Sequence, residues 1–208
     1  MPKFLIIDDH PIVRKGIRQI LEEMSGVIIT DEAASAAEGL KKFSQNDYDV
    51  VLLDIHLPGR SGLEVLGDMK HMKPGIPVLI LSMYPEEQYA IRALKSGASG
   101  YLTKDSAPDE LLAAIRKVLD GKKYITQALA EKIFNGLDKD HSRHDALSNR
   151  EYEVMIQIGK GKSIKEIAGI LSVSDKTVST YKSRVLEKMG MYSNAELIKY
   201  VIQEGLID

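Results

Sequence analysis

Three carboxylates, a hydroxyl and an ammonium stand at the ends of short apolar runs in the first half of this sequence. Asp8 and Asp9 close the run that starts at Lys3, Asp54 follows Val50–Leu53, Ser82 ends Pro77–Ser82, and Lys104 follows Gly100–Thr103. Taken singly, each has a bland reading, since an Asp-Asp pair after a strand serves as a turn or a helix cap. Brought together, they form a pocket with a net charge of about −2. Two like charges ~4 Å apart repel by roughly 4 kcal/mol at an effective dielectric near 20, so the pocket calls for a compensating cation. A hard divalent ion with oxygen ligands, Mg²⁺ above all, meets that need. One carboxylate could then attack phosphorus while the metal, the ammonium and the hydroxyl balance the incoming oxygens.

Convergence of these five residues requires a particular set of elements. Residues 1–120 alternate apolar runs with amphipathic stretches. The strands are Lys3–Asp8, Val27–Thr30, Val50–Leu53, Pro77–Ser82 and Gly100–Thr103. The helices between them cover Ile12–Met24, Ser35–Ser44, Leu63–Met72, Glu86–Lys95 and Ala107–Leu119, and Leu57–Gly62 forms a loop. Five βα units predict an α/β, doubly wound parallel sheet of flavodoxin-like strand order. In such a sheet all strand C-termini lie on one edge, where a site is expected. Near-continuous Val/Ile/Leu strands fit a sheet covered on both faces.

Composition narrows the class. The chain has 208 residues, 44% hydrophobic and 28% charged, as in an ordinary globular protein. It contains no Cys, which excludes disulfides, thiolate metal sites and a cysteine nucleophile. The N-terminal apolar run meets Asp8 too early for a signal peptide, and Val50–Leu53 and Ile76–Leu81 fall far short of the ~20 residues of a membrane span. A soluble cytoplasmic protein with no membrane partner is expected. Residues 1–120 carry 14 basic and 18 acidic side chains, residues 146–208 carry 9 and 8, and this asymmetry suggests two modules.

The first module resembles the receiver domain of two-component response regulators. The resemblance rests on Ile6-Ile7-Asp8-Asp9-His10, Leu52-Leu53-Asp54-Ile55-His56-Leu57-Pro58, Leu81-Ser82 and Tyr101-Leu102-Thr103-Lys104. It implies that Asp54 is the phosphoacceptor. Asp9, Asp54 and the main-chain carbonyl of His56 would bind Mg²⁺, with Asp8 acting through water. Ser82 and Lys104 would hold phosphoryl oxygens, and Tyr101 would turn inward when Ser82 is drawn to the phosphoryl group. His56 and Tyr84 occupy positions that tune dephosphorylation in the family. Many receivers have Pro after the Lys, where Asp105 stands here.

After Gly121 the pattern changes. Thr126–Asn135 reads as one short helix, and Leu137–Ala146 is polar enough to be a linker. Beyond Leu147 every segment reads as helix, three of them opened by the Ser-x-x-Glu capping box of Ser148/Glu151, Ser163/Glu166 and Ser193/Glu196. Ser163–Leu171, a tight Ser172-Val173-Ser174 turn and Asp175–Met189 have the layout of a helix-turn-helix. On the second of these helices Val178, Tyr181, Val185 and Met189 share one face. At ~100° per residue the opposite face carries Lys176, Thr180, Ser183 and Glu187, flanked by Thr177, Ser179 and Arg184, with Lys182 at the rim. Four basic and two acidic side chains over residues 174–190 leave only +2.

Leu147–Ile207 resembles the LuxR/FixJ-type helix-turn-helix through Leu147-Ser148-Asn149-Arg150-Glu151, Gly161-Lys162-Ser163-Ile164-Lys165-Glu166-Ile167-Ala168 and Lys176-Thr177-Val178-Ser179-Thr180-Tyr181-Lys182. The order of modules is that of the NarL/FixJ subfamily, and Thr177–Lys182 looks closest to its BvgA/GacA-like members. The expected organisation is a receiver over 1–120, a linker with a short helix over 121–146, and a small all-α four-helix DNA-binding domain over 147–208. By the resemblance Ser179, Thr180 and Ser183 face base edges while Lys176, Lys182 and Arg184 serve phosphates. It implies a phosphorylation-activated transcription regulator rather than an enzyme. Its partners would be a sensor histidine kinase, promoter half-sites in double-stranded DNA, RNA polymerase and a second copy of the chain.

Leu197, Ile198, Val201 and Ile202 of the last helix suit a dimer seam or core packing equally. Two other classes are open to the residues alone. A phosphohydrolase or flavoprotein could use the same sheet, but Asp54-Ile55-His56 lacks a second carboxylate and no Gly-rich loop follows the first strand. A receiver with a protein- or RNA-binding helical output is the other.

Overall fold

A computed structural model describes residues 2–24, 29–136 and 142–207. The chain divides into two compact units, Met1–Ala130 and Glu131–Asp208, and the division falls within a helix. In the first unit five parallel strands, β1 (Lys3–Ile7), β2 (Ile29–Ala33), β3 (Val50–Asp54), β6 (Val78–Ser82) and β7 (Gly100–Thr103), lie in the order β2-β1-β3-β6-β7. That is the flavodoxin-like order. A two-residue antiparallel hairpin, β4 (His56–Leu57) with β5 (Arg60–Ser61), occupies the stretch expected to be a plain loop.

The three central strands are apolar because both their faces are covered. Helices α1 (Pro11–Glu22) and α5 (Pro108–Leu119) bury Phe4, Ile6, Leu52, Leu79 and Leu81 on one side. Helices α2 (Ala36–Gln45), α3 (Gly62–Met72) and α4 (Glu86–Lys95) complete the unit.

One strand departs from expectation. The expected strand Val27–Thr30 lies partly outside the described residues, and β2 runs on through Asp31, Glu32 and Ala33, registered against Leu5, Ile6 and Ile7. These residues gave no apolar signal because β2 is an edge strand whose residues before Ala33 are half-buried or exposed.

Pro11 stands at the first helical position of α1, where its missing N–H costs nothing. Ser35 and Ser61 cap α2 and α3, accepting from the Glu38 and Leu63 amides. Gly62 begins α3 beneath the end of β3. A Cβ there would stand 2.0 Å from the Asp54 carbonyl oxygen and 2.7 Å from the Ile55 Cα, both of them backbone.

The second unit holds the remainder of α6 (Gln127–Gly136), a 3₁₀ turn at Arg143–Ala146, and α7 (Asn149–Gly159), α8 (Ile164–Leu171), α9 (Asp175–Met189) and α10 (Asn194–Gln203). Reciprocal capping boxes form at Ser148/Glu151 and Ser163/Glu166. The third is displaced by one residue, because Glu196 accepts from the Tyr192 amide at 3.1 Å instead of the Ser193 amide. Helix α7 packs on α9 and α10, and α8 on α9. Ser172, at φ 53°, ends α8 in the left-handed region and sets the tight turn into α9. On α10 the apolar stripe splits, with Leu197 and Val201 buried and Ile202 exposed. No helix among the described residues is long and apolar enough to cross a membrane.

Gly62→Ala should strain the backbone on which Asp54 sits. Overpacking against main-chain atoms costs about 1–3 kcal/mol. Urea unfolding of the first unit should show that loss, whereas Gly67→Ala, with nothing within 4 Å of the new Cβ, should leave the midpoint almost unchanged.

Candidate functional site

The pocket is built at the C-terminal edge of the sheet. Asp8 follows β1, Asp54 ends β3, Ser82 ends β6 and Lys104 follows β7, and each is buried or nearly so. Lys104 Nζ lies 2.6 Å from Asp8 Oδ2 and 2.7 Å from Asp54 Oδ2, so one ammonium bridges two carboxylates. Its backbone amide donates to the Ser82 carbonyl at 2.8 Å, which fixes the chain as it leaves β7. The His56 amide donates to Asp54 Oδ1 at 3.1 Å.

Burial pushes the Asp54 carboxyl up to about 6, while Lys104 opposes the shift and Asp8 adds to it. Burial would also lower the Lys104 pKa, but Asp54 and Asp8 outweigh it and hold the ammonium above its ordinary value. These are the signs expected where two carboxylates share one cation in a dry site.

Ligand atoms of Asp8, Asp9, His10 and Asp54 all lie within 4.8 Å of one another. Three carboxylates in that volume are a donor set suited to a hard divalent cation. The structure thus brings together every pocket residue that the sequence singled out, Asp8, Asp9, Asp54, Ser82 and Lys104.

Two neighbours of the pocket were not singled out. His10 Nδ1 is 2.8 Å from Asp9 Oδ1 and 3.1 Å from Asp8 Oδ1, and Arg14 Nη1 donates to the Asp8 carbonyl at 2.7 Å. Pro11 was the available signal for His10, since a Pro at the first helical position makes the preceding residue the cap, next to the acid pair.

Beside the pocket, Ser82 Oγ accepts from the Tyr84 amide at 3.1 Å, and the Tyr101 hydroxyl donates to the Tyr84 carbonyl at 2.8 Å. Tyr101 is 1% exposed, so its ring is turned inward. The His56 and Tyr84 rings stand 4.8 Å apart, with Nε2 and the hydroxyl at 3.3 Å.

In the second unit, Val178, Val185 and Met189 bury one face of α9, and Lys176, Thr180, Ser183 and Arg184 are exposed on the rest of it. Thr177, Ser179 and Lys182 are half-buried. Ser179, Thr180 and Ser183 each donate to the carbonyl four residues earlier, at 2.9, 2.9 and 3.1 Å. Their hydroxyl protons are engaged, so the lone pairs are what they offer outward.

Comparison with known proteins agrees with both halves. Residues 4–116 match the response regulator receiver domain, and residues 145–201 match the bacterial regulatory proteins of the luxR family. The chain belongs to the NarL/FixJ-type response regulators. Among relatives of this response regulator, UvrY of Escherichia coli K12 is 34% identical over 209 residues, covering 99% of this chain and 96% of that one. GacA of Pseudomonas syringae is 36% identical over 212 residues, covering 100% and 99%. RcsB of Salmonella enterica serovar Typhimurium, solved on the rprA promoter with the phosphomimetic BeF₃⁻, superposes with a TM-score of 0.66 at 26% identity, covering 97% and 98%. These relatives are regulators with DNA-binding domains, not enzymes, and receiver domains generally bind Mg²⁺.

The raised Asp54 pKa has a pH signature. Its folded value lies above its unfolded one, so the native state holds the extra proton between about pH 4 and 6 and stability falls as pH rises through that window. In metal-free buffer the wild-type unfolding free energy should therefore drop relative to Asp54→Asn as pH is raised from about 4 to 7. Millimolar Mg²⁺ should shrink the difference, and parallel curves without metal would show that Asp54 does not titrate there.

Proposed function

We propose that this response regulator is a cytoplasmic transcription regulator switched by phosphorylation of Asp54. The supporting observation is the buried Asp54 carboxylate, 2.7 Å from Lys104 and clustered with Asp8 and Asp9. A sensor histidine kinase supplies the phosphoryl group. The Asp54 oxygen forms the new P–O bond as the P–N bond of the donor phosphohistidine breaks, and the electron pair leaves on the imidazole. An acyl phosphate results.

Asp9, Asp54 and the His56 carbonyl would hold Mg²⁺, with Asp8 acting through water, and the ion would supply positive charge for the phosphoryl oxygens. Lys104 takes one phosphoryl oxygen and Ser82 another. Ser82 donates its hydroxyl proton to that oxygen while its lone pair faces the Tyr84 amide, so a shift of Oγ toward the phosphoryl group draws on the Tyr84 loop and on Tyr101, bonded to the Tyr84 carbonyl. A hydroxyl that links the phosphoryl site to the Tyr84 loop is an element that ligation can bias.

The functional division is a receiver over 1–120, a linker over 121–146 and a DNA-binding domain over 147–208. Phosphorylation favours a homodimer that places two copies of α9 on half-sites about one helical turn apart, where it recruits RNA polymerase. That RcsB, similar over 97% of this chain, was solved bound to promoter DNA supports DNA as the partner. Ser179, Thr180 and Ser183 face the groove with Thr177 flanking them, and the lone pairs of the three suit the amino groups of adenine or cytosine. Lys176, Lys182 and Arg184 lie against phosphates.

Acetyl phosphate with Mg²⁺ should label the chain once. Asp54→Ala should abolish the label and Asp9→Ala should suppress it, both read by intact mass. Label surviving in Asp54→Ala would remove the assignment.

The DNA contacts separate by salt. Lys182→Ala should weaken promoter and scrambled duplexes alike and lower the magnitude of the salt slope by about one. Thr180→Ala should leave the slope alone and cost promoter sites up to ~1–3 kcal/mol. The reverse pattern in a salt titration would mean that α9 is rotated in the groove.

A further inference from the structure

At the other edge of the same sheet, where β6 and β7 begin, the first unit has a cleft of about 380 Å³. Its wall carries Lys70 from the last turn of α3 and Lys122 and Lys123 from just beyond α5. Between them the lining is bare at Gly75, Gly97 and Gly121. None of the three lysines has a carboxylate within ion-pair distance among the described residues, although the rest of this unit is laced with such pairs. Asp120, the nearest acid in sequence, is not part of the lining.

The three lysines line one cleft, Lys70 half-buried and Lys122 and Lys123 exposed. The Lys70 Nζ donates to the Ile76 carbonyl at 2.5 Å. Burial, and then the Lys123 charge, lower its pKa. The chain bearing Lys122 and Lys123 is pinned on both sides, since the Lys122 amide donates to the Lys117 carbonyl at 3.1 Å and the Tyr124 amide to Ser99 at 2.8 Å. Tyr124 also bridges Gly100 at the start of β7. The C-terminal ends of α3 and α5 face this edge and offer roughly half a negative charge each, which offsets about one ammonium of the three. A positive excess of about two therefore remains in a preformed concavity, within an otherwise acidic module.

We infer that this cleft is a binding site for a compact phosphate-bearing polyanion. Three flexible ammonium groups present donors from several directions, which suits tetrahedral phosphate oxygens better than a planar carboxylate. No aromatic side chain lines the cleft, so nothing there would stack a nucleobase. The ligand class is accordingly a small di- or polyphosphate rather than a nucleotide recognised through its base. Lys122 and Lys123 follow α5 within the first unit, so an occupant would tie the chain just beyond α5 to α3 and β6. The inference is independent of phosphorylation at Asp54, which lies at the opposite edge.

The test is calorimetric titration of the full chain with inorganic pyrophosphate at low salt, without metal, accompanied by amide chemical-shift mapping. Shifts should centre on Gly75, Gly97 and Gly121. The Lys122→Gln/Lys123→Gln pair should weaken binding tenfold or more. Asp54→Asn should bind as the wild type does, as should Lys41→Gln/Lys165→Gln, which removes the same charge at exposed positions elsewhere. Equal weakening by both double variants would reduce the attraction to net charge and overturn the site. So would shifts confined to the Lys104 pocket or to α9, or an affinity that the Lys122/Lys123 pair does not alter.

Discussion

Burying Asp8 and Asp54 side by side is the constraint around which the first unit is arranged. Each is 2% exposed, and removing a carboxylate from water costs several kcal/mol unless something compensates it. Lys104 compensates both at once, at 2.6 and 2.7 Å, but one cation shared by two anions leaves the cluster negative, and burial keeps Asp54 near 6. That residual demand for positive charge is one that a divalent ion is suited to meet. It can be met only if β1, β3 and β7 end on one edge in the order observed, with β3 between β1 and β6. Gly62 belongs to the same arrangement, because α3 must start directly against the Asp54 carbonyl to leave the carboxylate facing the pocket.

From this cluster a continuous set of contacts runs outward. The His56 amide bonds Asp54, the His56 ring lies against Tyr84, and Tyr84 is held by Ser82 at its amide and by Tyr101 at its carbonyl. Contiguity alone does not carry a signal. In the proposed switch the second state comes from Ser82, whose hydroxyl accepts from the Tyr84 amide and has its proton to donate to an oxygen placed beside Asp54. Tyr101 is already inward without a phosphoryl group, so what it can follow is the Tyr84 carbonyl to which it is bonded and not an outward-to-inward turn.

The second unit solves a different problem. Helix α9 is only mildly basic and half polar, so it depends on its anchors. Ser174 caps its start, Gly190 ends it in the left-handed region, and Lys188 pairs with Glu151 of α7 at 2.6 Å. The buried Arg150–Glu153 pair, at 2.7 Å, lies within α7 itself. With the helix held by its buried face and its ends, the hydroxyls of Ser179, Thr180 and Ser183 can stand on the outer side bonded to their own backbone.

Much of this was legible in the residues. The apolar runs, the polar residues that end them and the 3.6-residue stripes determined by themselves the number of βα units, the helix-turn-helix layout and the identity of Asp8, Asp9, Asp54, Ser82 and Lys104, because burial imposes period and composition locally. Edge strand β2 was only half legible, since Asp31 and Glu32 sit where one face meets water and hydrophobicity is no longer required. The displaced Glu196 cap shows the same limit, because spacing says which groups can meet but not which amide wins. His10 against both acids, the single ammonium shared by Asp8 and Asp54, the inward Tyr101 and the lysine cleft were decided only by the tertiary structure. Each joins residues from separate turns or strands, and their distances and burial follow from how the layers pack, which no local pattern encodes.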